Sequence, residues 1–492
     1  MAKHRRIPTP SPTRIRLATA TAAAAALTGG LFVAGAGTAT AATPGVAASD
    51  ADFNGDGVAD TATSAPLAYV NGKAGAGVVS VLYGSGKHVT ISQNSAGVPG
   101  TAEKNDFFGS DTAYGDFNED GYDDLAIGAP GEDVGSDVDG GTAAILYGSA
   151  NGLTTGKTVT DPRAASHDHF GSILQAADLD GDGSSDLAVA TPNSATVDVV
   201  RGGTGGAYTV GAPVWSGGGD GIRNLHSGDI NGDGIDDLLV NGYEKDSDEG
   251  WNANFYLPGT SSGVTSTGYV KLPAGIITDV GDVDGDGKGD VVLGLAWDPD
   301  PEAPSDIPGA QKGGAVLIAH GTASGPDASA VQTIDQDTAG VPGAGENGDY
   351  FGNELDLGDV NGDGRLDLVV GASGENLDGF TDAGSVTVLY GAADGSGITG
   401  AGAKFYSQDT PGVPNSNEKG DHFGSDVHID DLDDDGRGDV VIGASGENGG
   451  NGAVYALHSN TDDTLSASAG IYTSTLGISA SGTPYLGSNF AD

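Results

Sequence analysis

Apolar runs of strand length recur along the chain in pairs. The first members read TATSAP, LAIGAP, LAVATP, LLVNGY, VVLGLA, LVVGAS and VVIGAS. After an intervening loop come GVVSVLYG, TAAILYG, ATVDVVRG, ANFYLPG, GAVLIAHG, GSVTVLYG and GAVYALHS. Val, Ile, Leu and Tyr dominate both sets, and glycine or polar turns bound them, so both are read as β-strands. Upstream of four pairs stands Phe-Gly: Phe108-Gly109, Phe170-Gly171, Phe351-Gly352 and Phe423-Gly424. The stretch that follows each Phe-Gly predicts a further strand, and segments such as AKFYSQ (403–408) a weaker fourth. Each unit is therefore an antiparallel four-stranded meander of about 60 residues.

A polar stretch precedes the first run of each pair. It fits D-x-[DN]-x-D-G-x-x-D and occurs seven times, from Asp52, Asp116, Asp178, Asp229, Asp282, Asp359 and Asp431, at spacings of 64, 62, 51, 53, 77 and 72 residues. Seven copies at a quasi-regular period mark a repeat architecture. A single thin meander cannot bury both of its faces. Repeats stacked around a ring can, which predicts an all-β chain forming a seven-bladed β-propeller of four-stranded antiparallel blades over residues 42–492. Phenylalanine would fill the gap between adjacent sheets, and glycine would let their backbones approach.

The polar stretch is built for a hard cation. Position 1 is Asp in every copy. Position 3 is Asn54, Asn118, Asp180, Asn231, Asp284, Asn361 or Asp433, and position 5 is Asp56, Asp120, Asp182, Asp233, Asp286, Asp363 or Asp435. Glycine at position 6 permits a sharp turn. Position 7 would offer only its carbonyl, which explains its variety: Val58, Tyr122, Ser184, Ile235, Lys288, Arg365 and Arg437. These offsets open an EF-hand loop, but an EF-hand ends in a bidentate Glu at position 12. Here position 12 is Thr63, Ile127, Val189, Val240, Leu293, Val370 or Ile442. The last carboxylate falls at position 9 instead: Asp60, Asp124, Asp186, Asp237, Asp290, Asp367 and Asp439. Ligands that are all oxygen favour Ca²⁺ over zinc or copper, so up to seven calcium ions are expected.

The Phe-Gly…DxNxDGxxD…GAP unit resembles the FG-GAP repeat of integrin α-subunit propellers and their bacterial relatives. The resemblance covers nearly the whole chain after residue 41. It implies a calcium loop inside a β-hairpin, and a ligand face on the side of the ring opposite the loops. A full GAP stands only at Gly128-Ala129-Pro130, and the Phe-Gly equivalents in two repeats are Gly221-Ile222 and Ala274-Gly275. The first repeat has Pro44-Gly45 there, while the final TPYLGSNFAD (483–492) reads as a worn copy with Leu486-Gly487 in that place. The C-terminal segment is therefore expected at the seam between blades 7 and 1.

Composition narrows the function. The chain has 492 residues, 20 Lys plus Arg against 69 Asp plus Glu, and no Cys. Such acidity excludes a nucleic-acid partner of the ordinary basic kind. Residues 1–41 pair a basic start (Lys3, Arg5, Arg6, Arg14, Arg16) with an apolar stretch and an Ala39-Thr40-Ala41 cleavage site, the pattern of a secretory signal. The general route is favoured over the twin-arginine route because the residues flanking Arg5-Arg6 fit the latter poorly. No later apolar run has membrane-spanning length. A secreted monomer is expected, with calcium in the place of disulfide staples.

Arg437-Gly438-Asp439 and Lys288-Gly289-Asp290 end on loop ligands, so neither is expected to serve as an adhesion tripeptide. His167-Asp168-His169 reads as a turn, with His169 in an aromatic slot shared with Phe107, Tyr350 and His422. No G-x-S-x-G, H-E-x-x-H or P-loop occurs. The expected role is thus an extracellular binding or adhesion module for a protein or glycan. The alternatives are a carbohydrate-binding lectin and, behind it, a divergent hydrolase. The loops opposite the calcium loops (131–141, 243–252, 297–314 and 374–384) carry Tyr243, Trp251, Trp297 and Phe380, the candidate partner-binding residues.

Overall fold

The computed structural model describes residues 51–164, 169–203, 205–215, 221–245, 252–299, 307–467 and 469–491. The expected signal segment, Pro44-Gly45, His167, Asp168 and Trp251 lie outside the described residues. Seven antiparallel sheets follow one another, each made of strands consecutive in the chain. The second has strands Thr112–Gly115, Asp124–Ala129, Thr142–Tyr147 and Thr155–Val159, registered through Gly115↔Asp124, Leu125↔Leu146 and Ala143↔Val159. The third to sixth repeat this plan over 173–211, 222–272, 277–334 and 351–406. The seventh adds a short fifth strand, Ile471–Tyr472. The first holds three: Asp60–Ala65, Val78–Tyr83 and His88–Ile91.

The core explains why the apolar runs are nearly continuous rather than alternating. Leu125 and Ile127 pack towards blade 1 with Phe53, Val79 and Val81. Ala126, between them, packs towards blade 3 with Phe170 and Leu174. Both faces of the strand are buried, so both sets of side chains are apolar. Seven such clusters exist among the described residues, each filling the seam between two neighbouring blades, and the seventh joins blade 7 to blade 1. Seven seams for seven sheets close a ring, so the fold is the seven-bladed propeller.

Phe-Gly and Gly-Ala-Pro are the two sides of one seam. Phe108, Phe170, Phe351 and Phe423 are all fully buried. A Cβ on Gly128 would collide with the carbonyl oxygen of Gly171 in the next blade, which is why that position is glycine. The chain end repeats the arrangement. A Cβ on Gly443 would strike the carbonyl of Gly487, and Leu486 bridges Gly452 as Phe423 bridges Gly384. Beyond it, Ser64 N–H donates to Asn489 O at 2.9 Å, Ala491 N–H donates to Ala62 O at 2.9 Å, and Phe490 is buried between the blades. The C-terminal segment thus adds a strand edge to the three-stranded first blade.

Two Phe-Gly equivalences need correction. In blade 4, Ile222 pairs with Gly242 as Phe351 pairs with Ala372, so Ile222, not Gly221, fills the phenylalanine place. In blade 5, Ile276 N–H donates to Gly294 O as Gly109 N–H does to Gly128 O. That puts Gly275 in the phenylalanine place, not Ala274. The β-bulge in blade 4 is one residue shorter than in blade 6, which displaced the alignment. With no ring available from Gly275, the seam holds a buried amide pair, Asn241 Nδ2 to Asn254 Oδ1 at 2.9 Å, with Asn241 also donating to Gly275 O at 2.7 Å.

Polar ties cross the seams as well. Near the ring axis, Asp111, Asp279, Asp356 and Asp426 accept from the buried N–H groups of Leu174, Leu357, Ile429 and Phe490 in the next blade, at 2.6–2.9 Å. Farther out, Gln93, Gln336 and Gln408 donate to Glu132, Glu375 and Glu447 at 2.6–2.7 Å.

Candidate metal centres and the opposite face

All seven polar loops join the first and second strands of their blades, or the equivalent in blade 1, and so share one face of the ring. Their conformation is set by the same three hydrogen-bond patterns. The position 1 carboxylate accepts from the position 6 glycine N–H at 2.7–2.9 Å. The position 5 carboxylate accepts from the position 7 N–H, Val58 through Arg437, at 2.9–3.1 Å. The position 9 carboxylate is buried and accepts from Gly84, Gly148, Gly202, Gly259, Gly321, Gly391 or Ser459 at the end of the third strand, at 2.8–3.1 Å.

Burial without a counter-charge has an electrostatic consequence. Loss of solvation, helped by the neighbouring loop carboxylates, raises Asp60, Asp124, Asp186 and Asp367 to about 7 and Asp237 to about 8. Asp290 and Asp439, each beside a histidine, rise only to about 6. In three loops the carboxylates at positions 1, 3 and 5 bring oxygens within 4.8 Å of one another: Asp178, Asp180 and Asp182; Asp282, Asp284 and Asp286; Asp431, Asp433 and Asp435. In blade 3, Asp180 Oδ1 and Asp186 Oδ2 are buried with no hydrogen-bond partner, while the other oxygen of Asp180 pairs with the Arg201 guanidinium. Orphaned buried carboxylate oxygens amid an all-oxygen donor set fit a hard dication.

The loops are also wired to each other. The position 1 carbonyls of Asp52, Asp116, Asp178, Asp229 and Asp359 accept from the position 8 N–H of the following loop at 2.7–3.3 Å. Ordering one loop therefore helps to order the next. The tripeptides sit inside this frame. Gly438 is one of those position 8 donors, Asp439 is buried, and Lys288 pairs with Asp286.

The opposite face is different in kind. Phe380 is 42% exposed. Trp297 is half-buried against the core between blades 4 and 5, and the Tyr243 ring lies 5.1 Å under the Arg223 guanidinium. The aromatic slot before Phe-Gly proves more prominent than these. Phe107, His169, Tyr350, His422 and Tyr485 all hold φ between 53° and 63°. Tyr350 and Tyr485 remain 47% and 37% exposed. A cavity of about 520 Å³ lies nearby, lined among others by Asn353, Ser373, Ser425, Ser445, Ser488 and Tyr485. The sequence signal for this cluster was the aromatic residue ahead of each Phe-Gly.

Parts of the chain are similar to known proteins. The FG-GAP repeat matches residues 108–146, 351–389 and 423–457, and the FG-GAP-like repeat matches 178–240. Mouse phosphatidylinositol-glycan-specific phospholipase D is 34% identical over 146 residues, 29% of this chain and 17% of that protein. Integrin alpha-PS5 of Drosophila melanogaster is 31% identical over 163 residues, 30% of this chain and 15% of that protein. The chain thus spans less than a fifth of either relative. Among solved structures, the exotype rhamnogalacturonan lyase YesX overlaps 84% of this chain and 72% of its own at 15% identity and a TM-score of 0.40.

Proposed function

We propose that this chain, which carries FG-GAP repeats, is a secreted binding module whose calcium ions hold the ring together while its opposite face takes an extracellular protein or glycan. The observation that carries the calcium reading is the sevenfold recurrence of one oxygen-lined loop, with orphaned carboxylate oxygens at Asp180 and Asp186. Positions 1, 3, 5 and 9 and the position 7 carbonyl would hold the ion. Bound calcium would neutralise the clustered carboxylates. The chain's own part is to aim those oxygens inward through the glycine turn and to pass order from loop to loop.

The binding reading follows from likeness to integrin α-subunits and from the division of labour between the faces. One face is taken up by metal loops. The other presents Phe380, Tyr350 and Tyr485, and Tyr485 lines a cavity in which Ser373, Ser425, Ser445 and Asn353 stand beside apolar Pro66, Leu67, Ile276 and Ile277. The Tyr485 ring beside serine hydroxyls and the Asn353 amide favours a glycan as the second reading, since sugars stack on rings and exchange hydrogen bonds with such groups. A hydrolase is the third. Its support is the phospholipase relative, and no motif for a nucleophile or base accompanies it. No helix among the described residues is long and apolar enough to cross a membrane.

Capture from culture medium and cell walls, with and without calcium, followed by glycan-array binding, tests the reading. Calcium-dependent retention lost on Tyr350→Ala or Phe380→Ala supports it. Hydrolysis of a polysaccharide or phospholipid panel, without stable retention, would replace it with the enzyme reading.

A further inference from the structure

The residue just before the strand-end donor to position 9 is Tyr83, Tyr147, Arg201, Pro258, His320, Tyr390 or His458. Its identity follows position 3. Where position 3 is asparagine, the amide donates to the position 9 carboxylate at 3.0–3.3 Å, and the strand-end residue is never basic. Where position 3 is aspartate, that donor is gone and a base stands at the strand end: Arg201, His320 or His458. In blade 3 the base is a guanidinium paired with Asp180, a group that cannot ligate a metal. In blades 5 and 7 it is an imidazole, which can.

We infer that the loops of blades 5 and 7 are mixed nitrogen–oxygen sites that take a first-row transition dication of the zinc class. His320 Nδ1 lies 3.1 Å from Asp290 Oδ1 and 3.3 Å from Asp284 Oδ2. His458 Nδ1 lies 2.8 Å from Asp439 Oδ2 and 3.6 Å from Asp433 Oδ2. All three donor atoms of each trio fall within 4.8 Å of one another. Donors bound tetrahedrally at zinc distances of about 2.0–2.2 Å lie about 3.3–3.6 Å apart, close to the spacing already present. Two carboxylates cancel the charge of a dication, and imidazole suits zinc and cobalt where calcium prefers oxygen. The histidines are 36% and 48% exposed at the side chain, so an ion can reach them.

The inference rests on the calcium reading in one respect, because the position 3 and position 9 carboxylates are shared. Zinc and calcium would compete in these two blades alone. A plain histidine–carboxylate ion pair, the counterpart of Arg201 with Asp180, is the rival explanation, and it predicts no metal.

The test is equilibrium dialysis of the purified chain against micromolar zinc in millimolar calcium, with both metals counted, and cobalt(II) absorption as the probe of ligand type. Two zinc equivalents are expected. His320→Ala or His458→Ala leaves one, the double variant leaves none, and Arg201→His adds a third. His169→Ala and His422→Ala change nothing. Melting temperature in calcium shows that each variant folds. Zinc retained by the double variant, or none bound by the parent, overturns the inference. Calcium counted in the same samples separates the readings: calcium without zinc defeats only this inference, and zinc without calcium only the calcium reading.

Discussion

Replacing Phe490 by alanine tests how the ring is closed. Phe490 is 1% exposed and sits between blades 7 and 1, with its N–H on Asp426 Oδ2 at 2.8 Å. A buried phenylalanine removes on the order of 150–200 Å² from water, worth about 4–5 kcal/mol at ~25 cal/mol/Å². Truncation of buried phenylalanines costs a similar ~3–5 kcal/mol. Unfolding entropy near 2.1 cal/mol/K per residue gives roughly 0.9 kcal/mol/K for a ring of this size. Phe490→Ala should therefore lower the melting temperature by about 4–5 °C. Circular dichroism in saturating calcium is the assay, with Tyr485→Ala, at an exposed ring upstream of the seam strand, as the control that shifts by about 1 °C or less. Equal, small shifts for both would mean that the chain end does not close the ring. Deletion of 483–492 should cost more than Phe490→Ala, because it also strips Ser64 N–H and Ala62 O of their partners.

Three further outcomes follow. Position 9 carboxylates raised to about 7–8 are favoured in the folded state while protonated, so their contribution is present at low pH and lost as pH rises through those values. In chelator the melting temperature should fall between pH 5 and 8; in saturating calcium that fall should vanish at the upper end, and a metal-free profile rising with pH would refute the burial argument. Asp279→Ala removes the carboxylate that accepts from the buried Leu357 N–H at 2.7 Å and lies 3.2 Å from His226 Nε2, and chemical denaturation should show a loss of about 3 kcal/mol. Exposed Glu103→Ala should change little, and equal effects would contradict the axial tie. Glu375, raised to about 7 by burial, accepts from Gln336; Glu375→Gln keeps an acceptor and sheds the buried charge, so at pH 8 it should be neutral or stabilising, whereas Glu375→Ala removes the acceptor and should be less stable than Glu375→Gln by about 1–3 kcal/mol; equal melting temperatures for the two variants at that pH would contradict the tie.

Much of this architecture is legible in the sequence because its unit is short and repeated. The paired apolar runs, the D-x-[DN]-x-D-G-x-x-D loops and Leu486-Gly487 each correspond to one physical requirement: a two-faced strand, a turn with inward oxygens, a seam. What sequence reading misplaces is where one residue is lost. Blades 4 and 5 shifted the Phe-Gly register by one position, and a buried Asn241–Asn254 pair took over from the ring. The axial aspartates and the Gln–Glu ties are invisible for another reason. Their partners lie in the next blade, 39 residues or more away, at no fixed local offset. The Asp–His pairing of blades 5 and 7 was present as covariation between position 3 and the strand end, a signal that becomes meaningful once the hairpin brings the two together. Trp297 is expected on the face because its loop is polar, yet it is partly buried and packs against the core between blades 4 and 5.

The central claim is that calcium in the loops holds the ring. The direct measurement is calcium stoichiometry by equilibrium dialysis in zinc-free buffer, paired with melting temperature before and after chelation. Extracellular calcium loops of roughly 0.1–1 mM affinity, filled tenfold above half-saturation, add about 1.4 kcal/mol each. Seven such sites together contribute on the order of 10 kcal/mol, about 10 °C for this ring. Up to seven bound calcium ions and a fall of that size on chelation are the predicted result. A chain that binds no calcium and melts at the same temperature in chelator would contradict the account.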